Sequence, residues 1–306
     1  MNVYKKVSDL PKSIKFGLVI GNFDGLHSGH RKLLNEVKET CTKNGVEPIV
    51  MTFVPHPMTI LKNESSFLLN SYKERQELLF KEGFSHLLEI SFTRDFSTLS
   101  PETFLEENVL KNKNIRLLFL GYDFAFGANK KGDHEFVKNY CSSRDIEVII
   151  QKKYQGDQGV YSSSFVRSLL KKGQTMEALK ILERPFFVRG RVIRGAGRGK
   201  QIGFPTANID MDFSRIIPQH GVYATRCMFN DFNYLSITNI GHNPTFTDKK
   251  IVNIETNVFD FSGDLYGEVI QVDFYQKIRD EKAFSCVNEL IEQITKDCEQ
   301  RRLMDA

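Results

Sequence analysis

Two histidines three residues apart, His27 and His30, sit on the turn Gly21-Asn22-Phe23-Asp24-Gly25-Leu26-His27-Ser28-Gly29-His30, between an apolar run and a helical pattern. Glycine lets backbone approach a ligand, a helix start offers unpaired N–H groups and a positive dipole end, and residues three apart on a helix face the same way. Such a turn suits a triphosphate. Two other readings stay open from spacing alone: ordinary polar turn residues, or a metal site completed by His56. A second loop, Gly190 to Gln201, is basic and carries Gly195, Gly197, Gly199 and Lys200. Only three residues separate Gly195 from Gly199-Lys200, and Gln201 stands where a Walker A motif has Ser or Thr, so it is not that motif. It reads as a flexible basic loop or as a solvated connection between strands.

The elements that must position these residues follow from periodicity. Apolar runs at 16–21, 48–53, 86–92, 115–124 and 147–151 alternate with helical patterns, which predicts βαβ units around a buried parallel sheet. Ligands of such sheets sit beyond the carboxyl ends of the strands. Two more helical patterns span 162–173 and 175–183. Near Arg184-Pro185 the period changes to strand alternation, at 186–194, 221–229, 234–240, 252–261 and 268–275, with no helical spacers. That predicts an antiparallel sheet or small barrel, closed by one helix carrying Phe284, Val287, Leu290, Ile291 and Ile294 on a single face. The domains expected are 1–183 and 184–306.

Composition narrows the function classes. The chain has 306 residues, 41% hydrophobic and 26% charged, which is globular rather than disordered or collagen-like, with mass for two domains. No apolar stretch approaches a membrane span and the first residues do not read as a secretory leader. The net charge of +4 is too weak to argue for nucleic acid, while small anionic ligands fit. The five cysteines are scattered without CxxC spacing, which suggests neither a disulfide frame nor a zinc cluster and fits a reducing cytoplasm.

The first turn resembles the HxGH signature of the nucleotidyltransferase superfamily. Thr52-Phe53-Val54-Pro55-His56-Pro57, Gly121-Tyr122-Asp123-Phe124-Ala125-Phe126-Gly127 and Ser162-Ser163-Ser164-Phe165-Val166-Arg167 are similar to its FMN adenylyltransferase branch, in family order. The resemblance implies that Asn22, Phe23 and Gly25 belong to the ATP-binding turn, that His27 and His30 stabilise charge on the α-phosphate and leaving pyrophosphate, and that Ser163, Ser164 and Arg167 hold the outer phosphates. His56 and Asp123 would lie near the transferred phosphate or flavin. Val54, Ala125 and Ser164 depart from the family pattern, where an acid, a base and Thr are usual. Further on, Gly203-Phe204-Pro205-Thr206-Ala207-Asn208, Asn239 to Phe246, Glu255 and Asp264-Leu265-Tyr266-Gly267 resemble riboflavin kinase, a six-stranded barrel. By that resemblance Thr206 and Asn208 bind magnesium with ATP oxygens, Glu255 is the general base, and Arg279 lies near the flavin, where its planar guanidinium could stack. Read alone, Glu255 is one solvent-facing residue of an alternating strand. Glu183 stands in the linker where relatives usually carry Gly.

Together the motifs resemble the prokaryotic bifunctional riboflavin kinase/FMN adenylyltransferase family, also called FAD synthetase. The resemblance implies a Rossmann-like α/β nucleotidyltransferase domain followed by a six-stranded antiparallel β-barrel and a C-terminal helix. It also implies magnesium as cofactor, and riboflavin, FMN, FAD and ATP as partners. A kinase that has lost adenylylation and a flavin-binding regulator without turnover remain as alternatives.

Overall fold

Strands that are apolar on both faces need cover on both faces. The computed structural model describes residues 1–122, 124–127, 131–152, 154–156, 159–195, 197–212, 214–242 and 252–304. Its contacts divide the chain into two compact units, Met1–Ser163 and Ser164–Ala306.

The first unit holds β1 (Asn2–Tyr4), β2 (Phe16–Ile20), α1 (Ser28–Lys43), β3 (Glu47–Val54), α2 (Pro57–Leu61), α3 (Tyr72–Lys81), β4 (His86–Ser91), α4 (Arg94–Ser97), α5 (Pro101–Leu105), β5 (Ile115–Leu120), α6 (His134–Cys141), β6 (Glu147–Ile150) and a short antiparallel pair, β7 (Gln155–Gly156) with β8 (Gly159–Val160). Its six-stranded sheet runs β1-β4-β3-β2-β5-β6, with every pairing parallel. Alternation along the strands builds two cores. Phe16, Leu18 and Ile20 of β2 join Phe104 of α5 and Val137 of α6 on one face. Val19 meets Leu34 and Val37 of α1 and Leu79 of α3 on the other. The chain leaves β2 on one side through β3 and β4, then returns to its other side through β5. The sheet's topological switch therefore lies between β2 and β5, where parallel sheets form their ligand crevice.

Unit two contains all but the first residue of α7 (Ser163–Lys171), then α8 (Thr175–Leu182), β9 (Phe186–Ile193), α9 (Arg198–Gln201), β10 (Ala207–Asp210), β11 (Gly221–Phe229), β12 (Phe232–His242), β13 (Val252–Val258), β14 (Val269–Arg279) and α10 (Val287–Leu303). Its strands close into a barrel in the order β10-β13-β12-β11-β14-β9. Closure leaves no unpaired edge. The barrel carries buried hydroxyls of Thr225, Ser236, Thr238 and Thr256, which satisfy one another at 2.8–2.9 Å.

Several boundaries differ from the periodicity. The 115–124 run leaves the sheet after Leu120, because Gly121 and Tyr122 turn out of it. The helical pattern from Pro101 divides into α5 and a π-turn, Glu106–Leu110. Strands β1 and β10 are too short to show a period. Phe284 precedes the closing helix and Val287 is exposed, so the docked face of α10 is set by buried Asp297 and Arg301 as well as Ile294. By contacts, α7 from Ser164 onward and α8 cluster with the barrel, ahead of the change of period at 184. One tie is the Thr175 hydroxyl, which donates to the Tyr275 carbonyl at 2.7 Å. Glu183 caps α8 in the left-handed region at φ 53°, where a side chain costs about 1–2 kcal/mol that glycine would not.

Candidate active sites

The β2–α1 turn lies at the carboxyl end of β2. Phe23, Gly25 and Leu26 have φ of 49°, 83° and 42°. The two non-glycine residues hold this conformation because their side chains are buried beneath the turn, in the core shared with α1. Burying a Phe or Leu side chain contributes about 1.5–3 kcal/mol, enough to offset a left-handed residue. The Asp24 carboxylate accepts from the backbone N–H of Leu69 and Asn70, and the Ser163 hydroxyl donates to the Asp24 carbonyl at 2.8 Å.

His27 caps α1, its Nδ1 accepting from the His30 N–H at 3.3 Å. In the neutral ring that leaves the proton on Nε2, a donor. The His27 and His30 rings stack at 3.7 Å with 18° between their planes. Gly29 permits this: a Cβ there would lie 3.2 Å from His27 Nδ1 and 3.1 Å from Tyr161 Cβ. Among the described residues, Asn22 Oδ1, Ser28 Oγ and His30 Nδ1 are buried without a hydrogen-bond partner. Buried polar groups are rarely left so; the Ser28 hydroxyl and a protonated His30 Nδ1 can donate to a polyanionic ligand, whereas Asn22 Oδ1 accepts and calls for a ligand donor.

Desolvation first, and His27 second, hold the His30 imidazole well below its ordinary 6.5. The folded chain therefore keeps His30 neutral where the unfolded chain protonates it. Stability from this group is intact above about pH 6.5 and falls as pH drops below that value, because the unfolded state then binds the extra proton. The expected result is a fall in melting temperature from about pH 7.5 to about pH 5.5 that is smaller in His30→Gln than in wild type, by scanning calorimetry. Equal falls would remove His30 as the cause.

His56 is also buried and also a cap: its Nδ1 accepts from the Met58 N–H at 3.1 Å. With Nδ1 accepting, a neutral His27 or His56 carries its proton on Nε2, which then donates rather than ligates a metal. No group of three or more His, Cys, Asp or Glu able to hold a metal occurs among the described residues. Asp123 lies outside the described residues. Ser164 is exposed and Arg167 half-buried on α7.

In the second unit, the register of β13 does what sequence spacing cannot. Glu255 pairs with Asn208 of β10 on one side and Asn239 of β12 on the other. The Asn253 amide donates to Glu255 Oε1 at 2.5 Å and to Asn208 Oδ1 at 3.1 Å, and the Thr206 hydroxyl lies 3.4 Å from Glu255 Oε2. Ile254 and Thr256 are buried, while Glu255 and Asn257 line a cavity of about 340 Å³. Thr206, Asn208 and Asn239 line it from the barrel, with Val222 and Ile237 on the same face by register; Phe284, Leu290 and Ile294, from the closing helix and the segment before it, form an apolar wall. The oxygens of Thr206, Asn208 and Glu255 fit a hard cation that takes its remaining ligands from phosphate and water.

The glycine loop packs onto this group. A Cβ on Gly195 would sit 2.2 Å from Asn208 Nδ2, and one on Gly199 would sit 2.3 Å from the Phe204 carbonyl. Gly197 is left-handed at φ 69°, and the loop enters one helical turn, α9, that the sequence reading did not contain. Gly195, Gly197 and Lys200 are exposed, so the loop is a solvated connection between strands that also packs Gly195 and Gly199 onto this group. Arg198 lines the cavity. Arg279 also lines it, its Nε and Nη2 both held by the buried Asp297 carboxylate at 2.8–3.1 Å. Asp297 was missed; its signal was a charge spaced at three from Ile294 on the docked face of α10. Asn243 to Phe246 lie outside the described residues.

The HxGH turn at the switch point of a parallel sheet defines the first unit as a Rossmann-like nucleotidyltransferase fold, and the second is a small-barrel kinase fold closed by one helix. Residues 11–165 match the FAD synthetase family and residues 182–304 the riboflavin kinase family. The bifunctional riboflavin kinase/FMN adenylyltransferase of Bacillus subtilis is 34% identical over 92% of this chain and 89% of its own length. That of Escherichia coli K12 is 31% identical over 97% and 96%. A crystal structure described as a macrolide-efflux protein from Streptococcus pneumoniae superposes with a TM-score of 0.88 at 32% identity, covering 98% of each chain. No helix among the described residues is long and apolar enough to cross a membrane. The chain belongs to the bifunctional riboflavin kinase/FMN adenylyltransferase family.

Proposed function

We propose that the second unit phosphorylates riboflavin to FMN and that the first adenylylates FMN to FAD, each with ATP and magnesium. The observation that carries the reading is the cavity of the barrel unit, where Thr206, Asn208 and Glu255 share one wall and the other is apolar. An isoalloxazine ring fits the apolar wall beside Arg279, with its ribityl 5′-hydroxyl toward Glu255. Glu255 takes the hydroxyl proton as the oxygen attacks the γ-phosphate of ATP, and ADP leaves. Thr206 and Asn208 would hold magnesium, which neutralises phosphate charge when bound. The loop of Gly195, Gly197, Gly199 and Lys200 lies against nucleotide.

In the first unit an FMN phosphate oxygen attacks the α-phosphate of ATP and pyrophosphate leaves. His27 and His30 donate to the charge that develops, the neutral His30 through its N–H. Asn22, Phe23 and Gly25 shape the turn, Ser163, whose hydroxyl donates to the Asp24 carbonyl, serves the outer phosphates, and His56 serves the flavin side. The two activities divide near residue 184, a division supported by family matches that end at 165 and begin at 182. Five free cysteines fit a reducing cytoplasm.

Incubation of the full chain with riboflavin, ATP and magnesium, followed by chromatography, tests both halves: FMN appears first and FAD follows. FMN without FAD would leave a kinase alone, and neither product would leave a flavin-binding regulator.

A further inference from the structure

We propose that Arg75 is the positioning residue of the adenylylation site, holding the HxGH turn and the end of β3 in one fixed arrangement. The inference rests on the adenylylation assigned above. Arg75 lies on α3 and is only 2% exposed. Its Nη1 donates to the Asn22 carbonyl at 3.1 Å and its Nη2 to the Phe53 carbonyl at 3.4 Å, while Glu89 of β4 lies 3.6 Å from Nη2. Its guanidinium sits over the Tyr72 ring, and the Tyr72 hydroxyl accepts from the His56 N–H at 2.8 Å. The Asn22 carbonyl takes a further donor, the Thr52 hydroxyl, at 3.3 Å.

These contacts converge where the chain leaves the sheet for its two candidate ligand turns. Asn22 immediately precedes the left-handed Phe23 and the His27–His30 stack. Phe53 precedes the segment that carries His56. Strand-end carbonyls buried beneath loops need donors. A buried cation is a costly way to supply them unless geometry is the gain, and Glu89 offsets its charge. Arginine alone among side chains presents a rigid fork that reaches two carbonyls and a carboxylate at once; lysine, a single point donor, reaches fewer. Arg75 is buried with its Nη atoms on the Asn22 and Phe53 carbonyls, so its effect passes through the backbone of Asn22 into the stacked imidazoles. In-line transfer is sensitive to such shifts.

The test uses the full chain with Arg75→Lys, Thr52→Val and Thr52→Ser, measuring steady-state FAD formation from FMN and ATP. FMN formation from riboflavin in the same samples is the internal control, and melting curves give the folded fraction. Arg75→Lys is expected to lower kcat for FAD about 10–100-fold per folded molecule, with KM for ATP and FMN formation little changed. Thr52→Val lowers it in the same direction and Thr52→Ser restores it. Wild-type kcat in Arg75→Lys, whatever Thr52→Val does, or losses that track only the folded fraction, would overturn the inference alone. A wild type that forms no FAD would overturn the adenylylation reading, and this inference with it.

Discussion

Glu255→Gln is expected to lower FMN formation from riboflavin by ~10²–10⁴-fold while FAD formation from supplied FMN continues at the wild-type rate. Glutamine keeps the shape of the side chain and the oxygen that accepts from Asn253, so the pairing of β13 with β10 and β12 is preserved. What it removes is the ability to take the proton of the attacking hydroxyl. The loss therefore appears in kcat, with KM for ATP little altered, because the loop and Thr206 and Asn208 are untouched. Rapid-quench measurement of FMN within one turnover reads the chemical step directly. Unchanged FMN production would show that Glu255 is not the base, and the cavity's barrel wall would then serve only to bind.

The second large effect is expected in the first unit, where His27→Ala combined with His30→Ala lowers pyrophosphate release from FMN and ATP by ~10³-fold. Each ring contributes a donor toward charge that grows in the transition state, and removing one such donor typically costs ~10²–10³-fold. The rings stack at 3.7 Å and act as one unit, so the double loss falls short of the product of the single ones. Alanine at position 27 also deletes the cap on the His30 N–H, a loss of about 1 kcal/mol of stability. His27→Asn separates the two effects, since asparagine caps well but lacks the Nε2 donor. If His27→Asn or the double alanine variant released pyrophosphate normally, the histidines would be structural caps and the assigned chemistry wrong. FMN formation in the same preparations reports whether the barrel unit is intact.

Legibility of the sites followed distance along the chain. His27 and His30 share one turn of α1, and Thr206 and Asn208 stand two apart where β10 begins, so helix and strand periods already place each pair together. The exposure of Lys200, the caps on His27 and His56 and the helical turn after Gly197 were beyond that reach, because each depends on where a loop is packed. The missed side chains show the same limit from the other direction. Arg75 and Asp297 are charges written into apolar helix faces, a signal visible in the sequence but silent about its partner. The turn carbonyl that Arg75 holds belongs to Asn22, 53 residues away.

From the sequence alone came the alternation of strand and helix up to the change of period near 184, the barrel alternation after it, and the turns that carry chemistry. Residue types and local spacing are enough for these, since they act within a few residues of backbone. The tertiary structure decided the switch point between β2 and β5, and the register that sets Glu255 opposite Asn208 and 3.4 Å from Thr206, 49 residues earlier. Strand order and register are chosen by which faces bury together over long separations, and no local pattern carries that information.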